Sequence, residues 1–93
     1  LAAISSTLSM GDAVARAEAV LIDMGLEIVS VDEGAGRIEA TATTTWFGFK
    51  DDMVLRIVAE NEGSRIDLRS MSRVGQSDVG VNAARILEFV AAF

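Results

Sequence analysis

Three arginines and a glycine-bearing loop stand together near the end of the chain, in the stretch Arg69–Arg85. Gly75 breaks a predicted strand, and the following Ser and Asp are typical of a helix start. Free amides at a helix N-terminus can bind a phosphate or carboxylate, and arginines would add charge-assisted hydrogen bonds. The stretch is therefore our first candidate for an anion- or partner-binding site, comprising Arg69, Arg73, Gly75, Ser77, Asp78, Asn82 and Arg85.

The same residues also have a structural explanation, which we favour for the turn itself. A strand that turns sharply into a helix needs a glycine and capping groups, which Gly75, Ser77 and Asp78 supply. Asn82 and Arg85 would then hold the loop against the sheet rather than hold a ligand. No Lys-Ser/Thr pair follows the glycines, so the loop is not a P-loop.

A second cluster combines aromatic side chains with the single lysine of the chain, Lys50. Trp46, Phe47 and Phe49 are three of the five aromatic residues. Successive side chains of a strand point to opposite faces, so the three cannot all enter one core. They either close one end of the core, which we favour, or form an exposed lip for a lipid, a membrane surface or a partner protein.

Enzyme chemistry is restricted because the chain contains no cysteine and no histidine. Thiol nucleophiles, histidine-based triads and the commonest transition-metal ligand are thereby excluded. Asp51 and Asp52 are adjacent, so on a strand they should diverge rather than form a catalytic dyad. We expect no catalytic residue, no cofactor and no metal site. The alternative is an enzyme based on Asp51, Asp52, Asp78 and Arg73.

Composition indicates one globular domain, residues 1–93, with 51% hydrophobic and 24% charged residues. The net charge of -6 argues against nucleic acid as a partner. No apolar run approaches the length of a transmembrane segment. Because the chain begins with Leu1 rather than Met, we expect a fragment or processed form of a longer chain. The cell envelope and the cytoplasm are both compatible with the sequence.

Hydrophobic periodicity predicts the elements that must position these residues. Apolar residues at three- and four-residue steps predict a helix from a Ser9 cap to Gly25. Four β-rich runs then predict strands at Leu26–Glu33, Arg37–Thr45, Asp52–Glu60 and Ser64–Arg73. The final helix is predicted to pack through Val79, Ala83, Ile86, Phe89, Val90 and Phe93. The segment Leu1–Leu8 is either a frayed terminus or a short edge strand.

The predicted fold class is α+β, with element order (β)αββββα. A four-stranded antiparallel meander, with or without a fifth short N-terminal strand, carries two helices packed on one face. Alternation places basic side chains on the face away from the helices, namely Arg37, Arg56, Arg65, Arg69 and Arg73. We favour a solvated surface with cross-strand ion pairs; the alternative is an anion- or partner-binding face.

The motifs Trp46–Asp52 and Arg69–Ile86, together with Gly36–Ala40, support a family resemblance. The chain resembles the bacterial and plastid proteins known as domain of unknown function 1499. The resemblance implies no established activity, substrate or cofactor. Some members carry a signal peptide or lipoprotein segment, which implies an envelope setting for those members.

Our leading functional hypothesis is a non-catalytic binding or interaction module. The carboxylate- and arginine-based enzyme is one alternative. Another is a lipid- or hydrophobe-binding domain, which would need an apolar cavity between sheet and helices. A homodimer could form through a sheet edge or through the Trp46–Phe49 tip.

Overall fold

A computed structural model describes residues 2–43, 50–72 and 79–93 of the chain. The element order is β α β β β β α, and the fold is α+β with an antiparallel sheet, as predicted. The elements are β1 (Ala2–Ser6), α1 (Met10–Asp23), β2 (Glu27–Asp32), β3 (Arg37–Thr43), β4 (Lys50–Glu60), β5 (Gly63–Ser72) and α2 (Val79–Ala92).

The five strands form one sheet in the order β1-β5-β4-β3-β2. Strands β2 to β5 are the predicted meander, since each pairs antiparallel with the next. The segment before α1 is a true fifth strand, because β1 pairs with β5 along its whole length. The sheet therefore ends in β1 on one side and β2 on the other.

Helix α1 begins and ends as the sequence predicts. Ser9 is the N-cap, and its side chain accepts a hydrogen bond from the Asp12 amide. After the helix, Gly25 takes a φ of 86°, a left-handed conformation that favours glycine. The buried stripe of the helix, Ala13, Val14, Ala17, Val20 and Leu21, covers the sheet.

Both helices pack on the same face of the sheet, which we call the closed face. Their apolar side chains meet fully buried residues of the three central strands: Ile38, Ala40, Met53, Leu55, Ile57, Ile66 and Leu68. The opposite face carries no helix in the described part of the chain, and we call it the open face. Within those residues, no helix is long and apolar enough to cross a membrane.

The predicted set of core-packing residues in α2 was too large. Phe89 is fully buried, and Ile86 and Phe93 pack against the core, but Ala83 is exposed and Val90 is 41% exposed. The reason is the position of the helix: α2 packs mainly on β5, with only β1 between β5 and the sheet edge. A helix near an edge has fewer neighbours and buries a narrower stripe.

The turn between β2 and β3 requires a glycine at position 36. Gly36 has a φ of 69°, and a Cβ atom there would collide with the Ile57 carbonyl. The Gly36 carbonyl accepts a hydrogen bond of 2.6 Å from the Ile57 amide. This close approach fixes β3 against β4 and thereby sets which side chains share the open face.

Candidate functional site

The closed face contains an ion pair between α2 and the start of β4. Arg85 Nη1 donates a hydrogen bond of 3.0 Å to Asp51 Oδ2. The two side chains are only 15% and 7% exposed, so both charges are largely removed from water. The pair spans 34 residues of sequence and ties α2 to the sheet. It gives Arg85 a structural role.

Asp51 and Asp52 diverge, as expected for adjacent residues of a strand. Asp51 points to the closed face, whereas Asp52 lies on the open face and accepts a 3.1 Å hydrogen bond from Thr41 Oγ1. The two carboxylates therefore do not face a common substrate position. Among the described residues, no three carboxylates come together in a way that could hold a metal ion.

The predicted site around the β5–α2 junction lies partly outside the described residues. Arg73, Gly75, Ser77 and Asp78 fall there, as do Trp46, Phe47 and Phe49 of the predicted lip. Asn82 belongs to α2, but its side chain is outside the described set, and Lys50 is exposed at the start of β4.

The structure does not bring Arg69 and Arg85 together. Arg69 is opposite Val54 on β4 and lies on the open face, while Arg85 reaches Asp51 on the closed face. Side chains of opposite sheet faces are separated by the sheet itself. Arg69 and Arg85 of the predicted junction thus belong to two different surfaces.

Four of the predicted outward arginines share the open face: Arg37, Arg56, Arg65 and Arg69. Two of them form ion pairs. Arg37 pairs with Glu39 at 3.0 Å, and Arg65 lies 3.4 Å from both Glu60 and Asp67. Within residues 2–43, 50–72 and 79–93, the exposed side chains of Arg56 and Arg69 form no hydrogen bond or ion pair.

A groove of about 630 Å³ crosses the open face from β1 to β3. Its volume is within the range of small-molecule sites. Both arginines without an ion pair line it, and Arg37 lies at its β3 end. The complete lining is Ala3, Arg37, Val54, Arg56, Asp67, Leu68, Arg69 and Met71. A smaller depression of about 260 Å³ shares Arg37, Val54 and Arg56 with it.

Sequence reasoning identified the basic side chains of this groove but not its apolar ones. Val54 is half-buried on the open face, and Met71 is 48% exposed. The alternation of inward and outward side chains already predicted these two positions, because Val54 is two residues from the outward Arg56 and Met71 is two residues from the outward Arg69. An exposed methionine among polar outward positions could have indicated the groove.

The whole chain, residues 1–93, matches the family described as "Protein of unknown function (DUF1499)". The chain belongs to this family. The resemblance seen in the sequence motifs is thereby confirmed over the full length of the domain. No curated protein matches the chain. Membership of the DUF1499 family brings no assigned activity.

Proposed function

We propose that this DUF1499 domain is a non-catalytic binding module that takes up an anionic ligand in the open-face groove. The observation that supports it is the pair of groove arginines, Arg56 and Arg69, which have no ion-pair partner among the described residues. Guanidinium groups left available in a groove are suited to bidentate binding of carboxylate or phosphate.

The local charge of the groove supports the same proposal. Arg37 and Arg56 stand directly opposite each other on β3 and β4. Like charges in this position destabilise a sheet, and a bound anion would relieve their repulsion. Asp67 is opposite Arg56 but is within ion-pair distance of Arg65 instead. In a chain of net charge -6, such a basic surface is not explained by overall composition.

The apolar lining suggests a ligand with a hydrophobic portion. Val54 and Met71 lie beside the arginines and would contact alkyl or aromatic groups. A methionine adapts to ligands of different shape because its side chain is unbranched and flexible. The ligand class we propose is therefore a carboxylate or phosphate attached to a short apolar group.

Amide chemical shifts followed during titration with octanoate and with inorganic phosphate test this proposal. We expect changes concentrated at Val54, Arg56 and Arg69, with octanoate binding more tightly than phosphate. Arg56→Gln and Arg69→Gln should each weaken binding by about tenfold, the equivalent of one charge-assisted hydrogen bond.

Arg65→Gln is the matched control, because it removes the same charge from the same face but from a side chain that already has carboxylate partners. The affinity of this variant for octanoate should stay within about twofold of the unmodified protein, since Arg65 does not line the groove. Shifts that are absent at millimolar ligand, or an equal loss in all three variants, would contradict the proposal.

A further inference from the structure

The four methionines of the chain differ in their contact with water, and all four lie within the described residues. Met53 is fully buried in the core, and Met10 and Met24 are partly buried against the same core. Met71 is 48% exposed and lines the open-face groove. Because an oxidant has to reach the thioether sulfur, Met71 is the methionine of this chain that is most open to oxidation.

The surroundings of Met71 give its oxidation a consequence. Arg69 lies on the same face of β5, about 7 Å away along the strand. The Arg69 side chain forms no hydrogen bond or ion pair among the described residues. Asp52 is directly opposite Met71 on β4. An oxygen atom added to the Met71 sulfur is therefore attracted by the Arg69 guanidinium and repelled by the Asp52 carboxylate.

We propose that Met71 is a site of oxidation by hydroperoxides, and that its sulfoxide closes the groove to the anionic ligand. A lone pair of the Met71 sulfur attacks the terminal oxygen of the hydroperoxide, the O–O bond breaks and an S–O bond forms. The departing oxygen takes the proton of the transferred hydroxyl group. The sulfur is thereby oxidised by two electrons, and the hydroperoxide is reduced to an alcohol, or to water when the oxidant is hydrogen peroxide.

The sulfoxide changes the groove in two ways. It replaces an apolar thioether with a polar group, which disfavours contact with the apolar part of a ligand. Its oxygen accepts a hydrogen bond from Arg69, so this guanidinium is occupied when a ligand arrives. Dedicated reductases convert methionine sulfoxide back to methionine, which makes the change reversible. The effect on ligand affinity rests on the function proposed for the groove, whereas the oxidation of Met71 and its contact with Arg69 do not.

Treatment of the folded protein with hydrogen peroxide, followed by digestion and mass spectrometry, tests the site. We expect an oxygen atom to be added to Met71 at least about fivefold faster than to Met10 or Met24. Met53 should stay unoxidised while the protein is folded. Without any ligand, oxidation should shift the Nε–H resonance of Arg69, and it should do so in Met24→Leu but not in Met71→Leu. Equal rates at the four methionines, or an Arg69 resonance that does not move, would overturn the proposal.

Titration with octanoate before and after peroxide treatment measures the effect on the ligand. Oxidation should lower the affinity about tenfold in the unmodified protein and in Met24→Leu, and methionine sulfoxide reductases should restore it. Met71→Leu should keep its own starting affinity through the treatment. An affinity that oxidation leaves unchanged in the unmodified protein would overturn the closing of the groove. If octanoate does not bind before treatment, the anion-binding proposal and the closing of the groove fail together, while the mass spectra and the Arg69 resonance still decide whether Met71 is the oxidation site.

Discussion

Two arginine–carboxylate pairs of this domain have the same 3.0 Å N···O distance but lie on opposite faces of the sheet. Arg85–Asp51 is on the closed face, with side chains 15% and 7% exposed. Arg37–Glu39 is on the open face, with side chains 59% and 41% exposed. The two pairs therefore have equal N···O distances, but their side chains differ strongly in exposure to water.

The difference teaches that the closed-face pair is a structural element and the open-face pair is not. A buried charge whose partner is removed is left without compensation from water, whereas an exposed charge is simply rehydrated. Arg37 on the open face can therefore exchange its carboxylate partner for a ligand at little loss of stability. Arg85 cannot do so without loosening α2 from the sheet.

The largest effect should come from removing one member of the buried pair. Asp51→Ala leaves the Arg85 guanidinium without this carboxylate, and we expect a loss of about 3 kcal/mol in the free energy of unfolding. Urea denaturation followed by circular dichroism measures it. A loss below 1 kcal/mol would mean that the comparison between the faces is wrong.

An intermediate effect is expected for the coupling between Asp51 and Arg85. A double-mutant cycle with Asp51→Ala and Arg85→Ala should give an interaction free energy of about 2 kcal/mol, because each substitution removes one end of the largely buried 3.0 Å hydrogen bond between the two side chains. Additive losses in the same urea experiment would show that the two side chains act independently.

The smallest effect is expected on the open face. Glu39→Gln removes the carboxylate partner of Arg37 and should lower the free energy of unfolding by only about 0.3 kcal/mol, since both side chains are well hydrated. The double-mutant cycle with Arg37→Gln should show a coupling of similar size that disappears at high salt. A coupling as large as that of the buried pair would remove the distinction between the faces.

Much of the fold was predictable because short segments of sequence determine where each strand and helix lies and which side it buries. The period-2 alternation in β4 and β5 separated Met53 and Leu55 from Arg56 and Arg69, and the paired strands follow that separation. The cap at Ser9 and the left-handed glycine after α1 were equally local signals. The candidate site was predictable only in part, because Arg69 and Arg85 are near in sequence yet lie on different faces.

The sequence by itself determined the α+β order, the antiparallel meander and the outward placement of Arg37, Arg56, Arg65 and Arg69. Each of these depends on the periodicity of a short segment, which a strand or helix imposes on its own side chains. Tertiary structure decided that Asp51 meets Arg85, that Ala83 and Val90 of α2 stay exposed, and that a groove joins Arg56 with Arg69 and Met71. These outcomes depend on strand register and on where a helix docks, and both are set by contacts between residues far apart in the chain.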